Sequence, residues 1–169
     1  MQPSPGTPPE SPLSGVTGQC LIRRARHDEC ALLTDLAFRS KASWGYSERF
    51  MADCRDELTI SEADIERDQF FVLECDGEVV GFCALQSCGA GEGMLADMFV
   101  EPARLRAGHG RRLVEHAKDA ARARGWRSLL VEADPNAREF YCSCGGAQIG
   151  TVASGSVPGR HLPVIEIPL

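Results

Sequence analysis

Apolar positions along the chain alternate between two spacings, and the switches between them mark the elements. Cys20-Leu21-Ile22-Arg23-Arg24 is a short strand-like run. Leu32, Leu33, Leu36 and Ala37 recur at helical spacing and predict a helix over about 28–40, with a second over 47–58. Residues 41–46 break the pattern between them. Ser61-Glu62-Ala63-Asp64 has the form of a capping box and opens a short helix. The apolar runs 70–75 and 79–85, separated by Asp76-Gly77, read as a hairpin. A glycine-rich loop over 89–93 leads to a strand over 94–100. Gly110, Leu113, Val114, Ala117 and Ala121 share one face of a helix over about 108–124, which Gly125 ends. A strand over 128–133, a short helix over 135–143 with Pro135 in its first turn, and strands over 147–153 and 162–167 complete the order. This order predicts a mixed α/β fold with a mostly antiparallel central sheet and flanking helices.

Composition narrows the setting. A chain of 169 residues with 43% apolar content suits one compact domain. A domain of that size needs no disulfide or metal to stay folded. A net charge of −6 argues against general nucleic-acid and anionic-membrane binding. No apolar run approaches the ~18–20 residues that span a bilayer. Residues 1–18 hold five of the ten prolines and neither Lys nor Arg, so they are expected to be a disordered tail and not a secretory signal. The domain then spans 19–169, and the expected location is cytoplasmic. In that reducing setting the eight cysteines are expected as free thiols, with Cys75 and Cys83 as small core residues. Neither Cys142-x-Cys144 nor His27, His116 and His161 has metal-ligand spacing, so no metal is expected.

Charge is concentrated where the glycines are. Residues 101–127 carry eight Lys or Arg against three Asp or Glu, an island in an acidic chain. There a strand runs through Glu101-Pro102 and a turn containing Gly108-His109-Gly110 into the amphipathic helix. Free amides and the positive helix end then point outward together, which suits a polyphosphate. Glycines allow close approach of the phosphate to those amides. A dinucleotide site is a weaker reading. Glu132 stands 22 residues beyond Gly110, but Leu113 replaces the third fingerprint glycine and no repeated βαβ unit surrounds it.

Val100-x-Pro102, Gly108-x-Gly110 and Asp134-Pro135-Asn136-Ala137-Arg138-Glu139-Phe140-Tyr141 followed by Gly145, in that order, resemble the GNAT family of acetyl-CoA-dependent N-acetyltransferases. The resemblance covers about residues 20–169. Leu105 stands where the family has Gln or Arg, and Ala147 where it has Phe. The resemblance implies the GNAT (acyl-CoA N-acyltransferase) fold and acetyl-CoA as co-substrate. It places the pyrophosphate on the amides of Leu105, Arg106, Ala107, Gly108, His109, Gly110 and Arg111. Pantetheine would lie along Met98, Phe99 and Val100 where strand 94–100 parts from strand 128–133, with Asn136 close by. A backbone N–H near Met98 would polarise the thioester carbonyl. Tyr141 takes the position that protonates the departing thiolate, and Glu132 that of a catalytic glutamate; Asp97, in the middle of the preceding strand, is the competing candidate for the general base.

The implied reaction is acetyl transfer to a primary amine. Such amines have pKa values of about 8 to 10.4 and need a base at neutral pH. Segments 40–46 and 154–161 would border the acceptor. Trp44 and Tyr46 are expected as an aromatic wall, and Lys41 and Arg160 as partners for a carboxylate of an amino-acid-like acceptor. The partners expected are therefore acetyl-CoA and a small amine, with no nucleic acid or membrane; a homodimer is left open. Two other readings remain: a non-catalytic acyl-CoA sensor, and acetylation of a protein N-terminus or lysine.

Overall fold

Strand alternation divides the apolar residues between two faces of one sheet. In the computed structural model, residues 18–89 and 91–169 are described. The tail expected over 1–18 falls outside them except for Gly18. Seven strands, β1 (Cys20–Arg24), β2 (Gln69–Cys75), β3 (Glu78–Gly89), β4 (Glu92–Val100), β5 (Ser128–Glu132), β6 (Ala147–Ala153) and β7 (His161–Pro168), lie in the order β1-β2-β3-β4-β5-β7-β6. Every neighbouring pair is antiparallel except β4–β5. On one face, Phe71, Leu73, Cys83 and Leu85 pack with Leu113, Val114 and Ala117 of α5 (His109–Arg122). On the other, Phe70, Val72, Phe82 and Ala84 meet α1 (Cys30–Ala42), α2 (Glu48–Asp53), α3 (Arg55–Leu58) and α4 (Glu62–Arg67), chiefly through Leu33, Leu36, Leu58 and Ile65. Each of the Val, Leu, Ile and Phe side chains among these contributes about 1.5–3 kcal/mol relative to exposure. A sixth helix, α6 (Arg138–Ser143), packs beside β7.

The β2–β3 hairpin closes as Asp76-Gly77 requires, with φ of 53° and 83° at the two turn residues. Three expectations change. The helix over 47–58 breaks into α2 and α3 at Cys54, which leaves helical geometry at φ −85°, ψ 1°. The glycine loop over 89–93 is mostly strand, since pairing continues to Ser87↔Gly93 and Gly89↔Glu92. Gly93 is there for packing: a Cβ would stand 2.0 Å from Trp126 Cε3. The cysteines are not all free either. Cys20 and Cys75 face each other across β1–β2 and form a disulfide. Their separation of 55 residues gave no spacing signal. The His109 ring lies near this pair, with ring nitrogen and sulfurs all within 4.8 Å of one another.

One irregularity shapes the middle of the sheet. A bulge opposite Ala84–Leu85 leaves Ala96 without a partner on β3. Parallel pairing of β4 with β5 is confined to residues 92–94 and 128–130. Beyond Met94, β4 stays with β3 to Val100 while β5 stays with β7 to Glu132. A wedge-shaped gap opens between them, with α5 at one side. Among the described residues no helix is long and apolar enough to cross a membrane.

Candidate active site

The turn entering α5 sets the first wall of the gap. Gly108 caps the helix at φ 81°, and no side chain caps it. The first-turn amides therefore lack intrahelical partners and carry the positive end of the helix dipole. Three of the four arginines at this entrance brace the fold. Arg104 reaches Glu78 at 3.4 Å, Arg111 donates to the Ser143 carbonyl and hydroxyl at 3.2 Å, and Arg112 donates to the Cys20 carbonyl at 2.5 Å. Arg106, exposed and itself at φ 62°, has no side-chain partner among the described residues. Gly110 differs from expectation. A Cβ there would meet Phe140 Cζ at 3.1 Å, so its small size admits the α6 aromatic. Leu105 is exposed, Ala107 and Gly108 likewise, and His109 is partly buried.

The second wall carries the reactive side chains. Met98, Phe99 and Val100 lie on the stretch of β4 whose β5 side is open. Tyr141 on α6 is buried, and its hydroxyl makes no hydrogen bond among the described residues. Burial, with the nearby Cys83, Cys144, Asp97 and Asp134, pushes its pKa well above the usual 10 and keeps the phenol protonated. Asp97 follows the β4 bulge and faces the α1–α4 side. Burial, then the charges of Glu57, Asp68 and Asp64, push its carboxyl from 3.8 up to about 7. It lines a cavity of about 200 Å3 with Glu57, Asp64, Asp68 and Gln86. Glu132, the other expected base, is exposed at the end of β5 with no side-chain partner among the described residues.

The expected acceptor residues form a closed polar network. Tyr46 Oη donates to Asp134 at 2.8 Å and accepts from Asn136 Nδ2 at 2.9 Å and from Arg160 at 2.8 Å. Arg160 also pairs with Asp134 at 3.0 Å and lies over the rings of Tyr46 and Phe50, which stack at 4.0 Å. The buried Lys41 ammonium stands 3.7 Å from Asp134 and 3.9 Å from Glu57. Burial opposes ionisation of Asp134, yet the Asn136 amide, Tyr46, Arg160 and Lys41 hold its carboxyl below the usual range. Burial and the Asp134 carboxylate push Tyr46 up to about 12. Lys41 and Arg160 thus hold an internal carboxylate, which corrects the expectation that they wait for one on a substrate. Asn136 likewise spends its amide on Tyr46 and Asp134. Trp44 is 50% exposed beside this network. Sequence reasoning missed Asp134 as the hub and Glu57 as a neighbour of Asp97. The one signal for Asp134 was its place before Pro135 as a helix cap, where it accepts from the Asn136 amide at 3.0 Å.

A larger cavity, about 440 Å3, opens at the β2–β3 hairpin end. The Arg23–Glu29 and Arg23–Glu74 pairs at 2.7 and 2.8 Å already occupy its charges, and it lies away from the gap.

The site thus combines a split sheet, a helix entrance with no side-chain cap, a buried phenol and a buried carboxyl raised toward neutrality. The family model described as "Acetyltransferase (GNAT) domain" matches residues 66–145. The PaiA N-acetyltransferase of Thermoplasma acidophilum, solved with coenzyme A, superposes with a TM-score of 0.75 at 18% identity, covering 89% of this chain and 99% of that one. A GCN5-related N-acetyltransferase of Rhodopseudomonas palustris gives 0.74 at 22%, covering 88% and 95%. The ribosomal-protein-S18-alanine N-acetyltransferase of Escherichia coli gives 0.66 at 23%, covering 89% and 94%. At these identities the superpositions show a shared fold. No curated protein matches the sequence. Residues 66–145 thus resemble a GNAT acetyltransferase domain, and the chain shares the fold of these N-acetyltransferases over nearly all of its described residues.

Proposed function

We propose that this protein transfers the acetyl group of acetyl-CoA to a primary amine of a small molecule by direct attack on the thioester. The observation that carries the reading is that Asp97, on the part of β4 that has left β5, lies near enough to Tyr141 for its charge to act on the phenol. One carboxyl is poised at about 7, and one protonated phenol has no hydrogen-bond partner among the described residues. Amides of residues 105–111 hold the pyrophosphate, helped by Arg106. Pantetheine runs along the open edge of Met98–Val100, where unpaired backbone groups offer strand-like hydrogen bonds.

Asp97 accepts a proton from the substrate ammonium, directly or through one water, and the neutral amine attacks the carbonyl carbon. A β4 amide near Met98 stabilises the oxyanion; one such donor contributes ~3–4 kcal/mol to the transition state. The C–S bond then breaks as the phenol proton of Tyr141 passes to the thiolate sulfur; the second proton of the attacking nitrogen restores the phenol, and Asp97 releases its proton to solvent. Asp97 takes the role of base over Glu132, because Glu132 is exposed and stands outside the acidic cavity.

Release of free thiol from acetyl-CoA in the presence of primary amines tests the reading. Turnover that is lost in Asp97→Asn and Tyr141→Phe, with acetyl-CoA binding retained, supports it. Saturable coenzyme A binding without turnover across an amine panel would establish the sensor reading instead.

A further inference from the structure

The cavity beside Asp97 is unlike a site for an amino acid. At about 200 Å3 it is smaller than the roughly 300–1,000 Å3 of drug-sized pockets, so its ligand is small. Asp56, Glu57, Asp64, Asp68 and Asp97 line it against a single guanidinium, Arg67. Arg67 is committed to Asp64 at 2.8 Å and Asp68 at 2.9 Å, and Gln86 also donates to Asp68. That leaves three carboxylates less than satisfied. Asp56 is exposed with no side-chain partner among the described residues. Glu57 accepts from the Ser156 hydroxyl and lies 3.9 Å from Lys41. Asp97, on β4 and lining the cavity, is largely buried and has no side-chain hydrogen-bond donor among the described residues, so its lone pairs are open to a ligand. The two side chains suited to a substrate carboxylate, Lys41 and Arg160, are both held by Asp134.

We infer that the acceptor is a short amine bearing a second cationic group, a diamine or polyamine. Its reacting nitrogen sits at Asp97, and its distal ammonium lies between Glu57 and Asp56. This inference rests on the acetyl-transfer reading above and names the acceptor class of that same site. The negative field at the floor attracts a dication more strongly than a monocation and repels a zwitterion. Selection therefore comes from the distal group, while Asp97 serves the nitrogen that reacts.

Three four-carbon primary amines of matched reach decide it: 1,4-diaminobutane, butylamine and 4-aminobutanoate, each assayed with acetyl-CoA and the full chain. The expected kcat/KM order is diamine over monoamine over amino acid, with at least tenfold at each step. The diamine-to-monoamine ratio should shrink as salt rises. Asp56→Asn, at an exposed position without side-chain bonds, and Glu57→Gln, which keeps its acceptor for Ser156, should each lower that ratio several-fold. Taking a ratio cancels any effect of Glu57 on the Asp97 carboxyl. Equal rates for the diamine and butylamine, or a preference for 4-aminobutanoate, overturn the inference and leave acetyl transfer standing. No thiol release with any amine, although coenzyme A binds, overturns both.

Discussion

A carboxyl raised from 3.8 to about 7 by burial and by Glu57, Asp68 and Asp64 binds its proton more tightly in the folded chain than in the unfolded one. Between those two values the native state holds the extra proton, so stability at this position falls as pH rises. Asp97→Asn removes that burden. Its unfolding free energy should exceed the parent's at pH 8 by at most about 4 kcal/mol, and the gain should vanish below pH 4. Urea midpoints at the two pH values measure it, and a variant less stable at pH 8 contradicts the assignment. The same substitution should cut kcat by at least about 10²-fold, and parent kcat should drop about tenfold per pH unit below 7. Tyr141→Phe separates chemistry from packing, because the hydroxyl makes no hydrogen bond among the described residues. Its midpoint should stay within about 0.5 kcal/mol of the parent, while kcat falls on the order of 10²-fold with KM for acetyl-CoA little changed.

At the scale of elements, the α5 entrance depends on one backbone conformation. Gly108→Ala forces a Cβ into φ 81° and should cost about 1–2 kcal/mol. It should also weaken coenzyme A binding, measurable by calorimetry, since the amides of that turn are re-aimed. Gly93→Ala tests a different cause. Its Cβ would overlap Trp126, so the loss should exceed that at Gly108 without depending on the co-substrate. These two glycines show why the fold was mostly legible and where it was not. The Asp76-Gly77 hairpin and the apolar stripe of α5 are local signals, and both were readable in full. Gly93 reads as loop only because the ring that requires it sits at position 126. The site divides in the same way. Gly108 and Tyr141 lie in ordered motifs and Asp97 in a readable strand, but Tyr46 meets Asp134 across 88 positions. A pairing of that kind exists only after folding, so Lys41 and Arg160 looked free when each already had its partner.

For the molecule as a whole, the Cys20–Cys75 bond ties the first strand to the second across 55 residues. Closing a loop of that length removes denatured-state entropy, so reduction should cost about 2–4 kcal/mol. A phosphine reductant should therefore lower the urea midpoint of the parent and leave that of Cys20→Ser unmoved. Because Arg112 of α5 donates to the Cys20 carbonyl, the same treatment should also loosen the co-substrate turn.

Among the described residues, strand pairing between the four-strand leaf β1–β4 and the three-strand leaf β5–β7–β6 is confined to 92–94 against 128–130, extended by the Arg127 amide on the Gly91 carbonyl. The sheet is thus built like a book with a short spine, and whatever lies between its pages acts as glue. Coenzyme A should slow deuterium uptake along 95–100 and 131–133 far more than along β1 and β2. In its absence, the earliest opening on heating should be the parting of the two leaves.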